Sequence, residues 1–390
     1  MAHHSTLLSQ MLSLIPRHVF HKLESRHKTG RSSRQLGFKE QFTVMAFLHL
    51  TARRSLRDGL RCLQSIKNRL YHLGLRNVAR STLADANKVR PVAFFRDLFS
   101  EMYTLCRPHA PGHSFRFKSK LFSLDSTTVS LCLSLFPWAS FRSNKGGIKI
   151  HTLLDHDGLI PAFATVTDAK TNDCRLAKTL DLPGGSIVVF DRGYNDYQWF
   201  RALGEKGVFF VTRLKKNAVY KLLKRRPVST KNGLTSDHII EVSHKGSGLT
   251  LRRIGYRDPE TNHRYELLTN HFQLAAQTIA DIYKARWNIE LFFKEIKQNL
   301  RIKSFVGHSE NGALIQIYTA LTLYLLLAWQ KFLCRIGFSV QQLFQLIQPN
   351  LLGNLSLAEL LAPPRRKIDD YPLFKHLPLF AWPDSSDKSW

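Results

Sequence analysis

Cysteine is scarce. The 390 residues include five, Cys62, Cys106, Cys132, Cys174 and Cys334, widely spaced, with no CxxC pair and no histidine at zinc-binding distance along the chain. That excludes a disulfide frame and a cysteine-based structural zinc site; the five read as small buried residues of a reducing compartment. Acidic residues are also in short supply, 29 Asp+Glu against 57 Lys+Arg. Long apolar runs are absent except for residues 311–330, NGALIQIYTALTLYLLLAWQ, which carry no charge. Polar Asn311, Gln316, Thr319 and Thr322 interrupt that run and no second span accompanies it, so a buried core helix is expected, not a membrane segment. The first twenty residues lack a charged lead followed by an unbroken apolar core, and no signal peptide is expected. A mean hydropathy of −0.20 argues against a multi-span membrane protein or a largely disordered chain.

What is present in excess is positive charge, +28 with a pI near 10.2. Clustered cations gain by releasing counterions condensed on phosphates, so the composition points to a polyanionic partner, nucleic acid before membrane surface. The first 120 residues hold 22 Lys+Arg and 6 Asp+Glu, more than half of the excess. They read as a helical unit: Leu8, Met11, Leu12 and Ile15 recur at helical spacing, as do Phe42, Met45, Ala46 and Leu48, with a break at Gly30–Ser33. Residues 55–91 offer two or three short basic helices, punctuated by Gly74 and restarted at Ser81 as an N-cap. Such a run resembles DNA-binding helix–turn–helix units, and equally a basic helical cap on the rest of the chain.

From Lys120 the period changes to that of strands. KLFSLDSTTVSL is a first strand; GGIKIHTLL and GLIPAFATVT flank DHDG as a hairpin; a short helix follows near Asn172 to Leu180, with Asn172 and Asp173 as caps. GGSIVVFDRG is a buried strand ending at Asp191, NDYQWFRALGEKG a helix, and VFFVTRL another strand. Three antiparallel strands and then two linked through helices is the order of a ribonuclease-H-like α/β core. The run from Arg213 to Lys231, with Lys215, Lys216, Lys221, Lys224, Arg225 and Arg226 and no acid, is expected to meet nucleic acid or to form a solvated loop. HIIEVS, LTLRRIGY and HRYELLTN then read as an antiparallel β insertion before a long helix that starts near Ala275. The expected division is a helical DNA-binding unit at 1–115, the core at 116–215, the β insertion at 216–272, the rest of the core with C-terminal helices at 273–362, and a tail at 363–390.

Asp125 and Asp191 sit where strands meet loops, a place where a lone carboxylate is usually a cap. The long helix is more specific. In DIYKARWNIELFFKEIKQNL, Tyr283, Arg286, Glu290 and Lys297 fall within about 60° of one face at 100° per residue, beside an apolar stripe of Ile282, Ile289, Phe293 and Ile296. Glu290 and Lys294 have the spacing of an ordinary surface ion pair. Lys149 and His151 share one face of the strand next to Asp125 and are expected to line the same cleft, His151 as a structural residue.

The Tyr, Arg, Glu, Lys spacing at 283, 286, 290 and 297 resembles the signature of the DDE transposases of bacterial insertion sequences, in the insertion-sequence-four family. LDSTTVSL through DHDG resembles the family's first-aspartate region, VVFDRGY its second and STLADANKVR its N-terminal helical domain, so the likeness runs from about Leu7 to Leu361. It implies Asp125, Asp191 and Glu290 as catalytic acids. In-line displacement at phosphorus, served by two Mg²⁺ ions or by Mn²⁺ in their place, needs only hard oxygen ligands, which three carboxylates supply. Arg286 and Lys297 would hold phosphates, and Tyr283 would hydrogen-bond one; Lys294, Arg213, Lys215 and Lys216 join the expected DNA contacts. The resemblance further implies cut-and-paste movement through hairpin ends on terminal inverted repeats and target DNA, by a homodimer in the bacterial cytoplasm at the nucleoid. Hairpins call for an aromatic that takes a flipped base. No Trp lies between Trp199 and Trp287, which leaves Trp287, Tyr256, Tyr265 and Phe272, each with a packed aromatic as the alternative. Two rival readings stand beside this one: an inactive relative that grips transposon ends as an inhibitor, and a ribonuclease-H-like nuclease that cuts without joining.

Overall fold

The computed structural model describes residues 6–361 except 29–35, 143–144, 230, 245–246, 301 and 303–304; the Gly30–Ser33 break and the tail from 363 lie outside that set. Alternating side chains on β1 (Leu121–Leu131) send Val129 into one apolar layer and Phe122 and Leu124 into another, so the strand is covered on both faces. It pairs antiparallel with β3 (Lys145–Asp155), which in turn pairs antiparallel with β4 (Ile160–Asp168) and with the short β2 (Ser140–Arg142). On its other side β1 pairs in parallel with β5 (Ile187–Phe190), and β5 in parallel with β6 (Phe209–Arg213). The order β4, β3, β1, β5, β6 is that of a ribonuclease-H-like core. α7 (Asp173–Ala177) precedes β5, and α8 (Tyr197–Glu205) crosses from β5 to β6.

The insertion continues this sheet. β7 (Lys221–Arg225), β8 (Leu234–His244), β9 (Ser247–Arg257) and β10 (Arg264–Thr269) add antiparallel strands outward from β6 in the order β10, β9, β8, β7, giving ten strands in one sheet. Part of the basic run expected to meet nucleic acid or to form a solvated loop is therefore a strand. All five residues of β7 are exposed and it closes the sheet edge, where lysine and arginine discourage pairing with another chain.

The N-terminal helices α1 (Leu7–Leu12), α2 (Arg17–His27), α3 (Phe38–Leu50), α4 (Leu56–Ser65), α5 (Arg80–Val89) and α6 (Val92–Cys106) lie on the Val129 face of the sheet. Gly74 takes the left-handed conformation (φ 65°) that ends the turn after α4. Ser81 is not a cap: α5 starts at Arg80 behind Ala79, and Ser81 lies inside it.

After the sheet come α9 (Ala276–Ala285), α10 (Asn288–Gln298), α11 (Glu310–Cys334), α12 (Val340–Asn350) and α13 (Leu357–Leu361). α11 contains the uncharged run. It is long and apolar enough to cross a membrane, but 89% of its most apolar window is buried, packed on α6, α3, α5 and β4. Three of the polar residues that interrupt the run have partners within the protein: Thr319 and Thr322 donate to the carbonyls of Ile315 and Tyr318 (both 2.8 Å), and Gln316 Oε1 accepts from the Val306 amide (3.0 Å). Each would cost roughly 1–3 kcal/mol if buried without a partner. Cys106 is buried as expected, whereas Cys132 and Cys334 are exposed.

Candidate active site

β5 is wholly buried and wholly apolar, so the first polar residue after it marks where the sheet meets solvent. The last rung between the parallel strands is Leu124↔Phe190. The next residue along each chain is an aspartate, Asp125 within β1 and Asp191 after β5, which puts two carboxylates just beyond the carboxyl end of the parallel ladder, the side on which α/β folds bind ligands. Leu124 and Phe190 belong to the α8 layer, so Asp125 and Asp191 turn to the opposite face, toward α9 and α10.

Asp125 is mostly buried. Burial pushes its carboxyl up to about 6, against the Ser126 amide, which donates to Oδ1 at 2.8 Å, and against the Arg286 guanidinium; the negative neighbours Glu290 and Asp191 push it up further. Arg286 donates from Nη1 to Asp125 Oδ2 (3.2 Å) and from Nη2 to Glu290 Oε1 (2.9 Å), so one planar fork bridges two acids 165 positions apart. Glu290 thus pairs with Arg286, not with Lys294 as its spacing had suggested.

The helix expected to start near Ala275 is in fact two. At Arg286 and Trp287 the backbone tightens: the amides of 286, 287, 289 and 290 bond to carbonyls three residues back (3.0–3.2 Å). Arg286 links the two sides of this turn: its guanidinium lies 5.8 Å from the Tyr283 ring and donates to Glu290. The Tyr283 ring is 6.2 Å from that of Tyr265, on which Arg213 stacks at 4.8 Å. Burial, and then nearby Asp191, push the Tyr283 hydroxyl up, against the pull of Arg286 and Arg213. Lys297 reaches back from α10 to donate to Thr127 Oγ1 and to the Thr128 carbonyl (3.1 Å), which ties the helix to β1.

Between β1 and α10 opens a polar cleft of about 420 Å³, lined by Asp125, Ser126, Thr127, Glu290, Phe293, Lys294, Lys297 and Gln298. Asp191 is half-buried beside it and is not a lining residue. Among the described residues no three His, Cys, Asp or Glu side chains stand close enough to hold a metal ion; the guanidinium of Arg286 fills the space between Asp125 and Glu290. In kind, the donors still suit a hard divalent cation: carboxylate oxygens only, one of them buried and reluctant to ionise without a positive neighbour.

Of the other expected residues, Trp287 is 57% exposed. Lys215 and Lys216 are exposed beyond β6, Lys215 donating to the Asn195 carbonyl (3.2 Å). Tyr256 and Tyr265 stack on one another at 6.4 Å. Lys149 and His151 do not line the cleft. They pair across from Thr128 and Ser126, on the face opposite Asp125, and meet Asp173 there. Thr127 escaped the sequence reading, though its position two residues beyond Asp125 on a strand was the signal for it.

A family profile described as a transposase DDE domain matches residues 116–326. Another, described only as a domain of unknown function, matches residues 3–76. A Sinorhizobium fredii sequence named as a transposase, y4zB, is 33% identical over 290 residues, 72% of this chain and 80% of that one. A Geobacillus stearothermophilus sequence named as the transposase of insertion sequence element IS5377 is 28% identical over 332 residues, 84% of this chain and 85% of its own length. Among solved structures, one titled as the cryo-EM structure of piggyBac transposase synaptic complex with hairpin DNA shares 12% identity at a TM-score of 0.41, covering 88% of this chain and 77% of that chain; the order of strands in the sheet, not this loose overlap, defines the fold.

Proposed function

The chain belongs to the DDE transposases of insertion sequences, enzymes that act on DNA, and from that premise we propose that it binds the terminal inverted repeats of its element, cuts the strands at each end and joins the freed 3′-hydroxyls to target DNA. Asp125, Asp191 and Glu290 are the proposed catalytic acids. The observation that carries the reading is the placement of Asp125 and Asp191 one residue past the same rung of two parallel strands, with Glu290 linked to Asp125 through Arg286.

In this reading the three carboxylates would hold divalent metal, Mg²⁺ or Mn²⁺ and two ions by the chemistry of in-line displacement, which would supply charge neutralisation at the phosphate and a more acidic water or hydroxyl. The chain's own groups do the rest. Arg286 has the fork geometry to grip two phosphate oxygens, and it meets DNA as a competitor of its two carboxylate partners. Lys297 and Lys294, on successive turns at the rim of the cleft, attract the scissile phosphate. Arg213, stacked on Tyr265 beside Tyr283, extends the positive track along the sheet, and exposed Lys215 and Lys216 continue it. Trp287 is the exposed aromatic nearest to Arg286 in sequence and is the proposed stacking partner for a base turned out at a hairpin end. Two ends must be cut and joined together, so a homodimer on DNA in the bacterial cytoplasm is the proposed working form.

The test is purified protein with supercoiled donor DNA bearing the matching terminal repeats, in Mg²⁺ and in EDTA. Joined products in Mg²⁺ alone are expected, and Asp125→Asn, Asp191→Asn and Glu290→Gln each abolish cutting while end binding persists. Cleavage without joining would make the protein a nuclease, and a shift without cleavage would make it an inactive binder.

A further inference from the structure

Beyond Leu124↔Phe190 the ladder between β1 and β5 stops, so Asp125 and Ser126 are supported by β3 on one side only. On the face away from the cleft a polar group makes up the missing support. The Ser126 hydroxyl donates to Asp173 Oδ1 at 3.0 Å, while the Ser126 amide donates to the Asp125 carboxylate at 2.8 Å. Asp173 is the first residue of α7, yet Asn172 already caps that helix by accepting from the Cys174 amide (2.8 Å). The Asp173 carboxylate is turned to the sheet instead. There it also meets Lys149 Nζ at 3.2 Å and His151 Nδ1 at 3.3 Å. Lys149 is held in turn by the Thr171 carbonyl (3.1 Å), and fully buried His151 by Thr167 Oγ1 (2.8 Å). Tyr194, three residues after Asp191 and bonded to its carbonyl through the amide (3.1 Å), is buried against the same group.

We propose that Asp173 is a positioning residue: acting through the Ser126 hydroxyl from the far face of the sheet, it fixes the stretch of β1 that is paired on one side only and so aims the Asp125 carboxylate into the cleft. This rests on the reading of Asp125 as a reacting-centre acid. Asp173 itself lies on the wrong face to touch the scissile phosphate, so its effect is one of aim. Misplacement of a reacting group by about 1 Å can cost on the order of 100-fold in rate.

The experiment compares Asp173→Ala, Asp173→Asn, Ser126→Ala and the Ser126→Ala/Asp173→Ala double variant in the full chain, by thermal unfolding, end-binding Kd and single-turnover cleavage of terminal-repeat DNA. Asp173→Ala and Ser126→Ala are expected to slow cleavage by about 10- to 100-fold with Kd within about twofold, and the double variant to be no slower than the slower single one. Asp173→Asn, which keeps an acceptor for the hydroxyl, is expected to recover most of the rate. Wild-type rates in both single variants, or multiplying effects in the double, would overturn the proposal. So would an Asp173→Asn protein as dead as Asp125→Asn, because a group needed for its charge is not acting through Ser126. Should Asp173→Ala fail to fold, Ser126→Ala, which removes one oxygen, decides. Cleavage by Asp125→Asn sinks the underlying assignment instead, and so the two failures are told apart.

Discussion

Arg286 Nη1 lies 3.2 Å from Asp125 Oδ2, and the same guanidinium holds Glu290 at 2.9 Å. Without it two carboxylates would face each other across a largely buried gap. Arg286→Ala is therefore expected to destabilise the fold by about 1–3 kcal/mol at pH 8, measured by urea unfolding. Burial raises the Asp125 carboxyl to about 6; an acid raised on folding is costly when ionised, so its strain is present above that pH and fades as pH falls through 6 toward the unfolded value. The Arg286→Ala penalty should accordingly shrink at pH 5. An equal penalty at both values would show that the missing packing of the side chain, not its charge, is responsible.

The same repulsion makes a metal readout that needs no DNA. Mg²⁺ or Mn²⁺ at pH 8 is expected to raise the unfolding temperature of the wild-type protein, since a ligand that binds only the folded state stabilises it. EDTA should reverse the rise, and Asp125→Asn and Glu290→Gln should reduce it. A rise that survives both substitutions would place the ion elsewhere.

The basic edge strand invites a salt experiment. Every cation removed from a DNA phosphate lowers the slope of log K against log salt by about 0.9. Replacing Lys221, Lys224 and Arg225 by Gln is expected to flatten the slope for end binding by about 2 to 3. Stability should change by under about 0.5 kcal/mol, because all three are exposed. A slope identical to wild type would leave β7 the sole task of guarding the sheet edge.

Trp287 is 57% exposed, and Leu291, one turn further along α10, is 48% exposed. Stacking of a base on an aromatic ring contributes about 1–3 kcal/mol. Trp287→Ala is expected to leave first-strand nicking intact and to slow second-strand cutting about tenfold or more. Tryptophan fluorescence quenched by hairpin DNA in the wild type should be largely lost in the variant. Equal rates for both strands in wild type and variant would end its assignment as the stacking residue.

His49 supplies a pH test far from the chemistry. Its ring nitrogens lie 2.7 and 3.0 Å from the carbonyl oxygens of Leu300 and Gln316, yet complete burial outweighs these bonds and lowers the imidazole to about 4. A histidine depressed on folding stabilises fully above the unfolded value of about 6.5, and the contribution is lost as pH falls from there toward 4. That loss is on the order of 3 kcal/mol. Urea unfolding at pH 7.5 and 4.5 should show a smaller drop for His49→Gln than for wild type. Parallel drops in the two proteins would mean that folding leaves the affinity of the ring for a proton unchanged, and a smaller drop in wild type would mean that the ring is protonated in the fold.

Much of the site was legible along the chain because its parts are local. A polar residue closing an apolar strand marks a strand end, as Asp191 does after β5, whereas Asp125 lies inside β1; the 283, 286, 290, 297 spacing is the part that resembles the family signature. The break between α9 and α10 at Arg286 and Trp287 was not legible, because a turn of three-residue bonds leaves no trace in a pattern of apolar positions. Pairing rules could not tell which face of the sheet Lys149 and His151 would take relative to the cleft, since that depends on register with Ser126 and Thr128.

By itself the order of residues determined the strand sequence of the ribonuclease-H-like core and the buried nature of α11, since burial, period and charge are properties of short segments; the three proposed acids stood out only through the resemblance of their surroundings to the family's. Only the tertiary structure decided that β7–β10 extend the core sheet, that Arg286 bridges Asp125 to Glu290, and that Asp173 reaches Ser126 from the opposite face. The Ser126–Asp173 and Arg286–Asp125 contacts join positions 47 and 161 residues apart, and no local preference encodes a distance that closes only when whole layers pack.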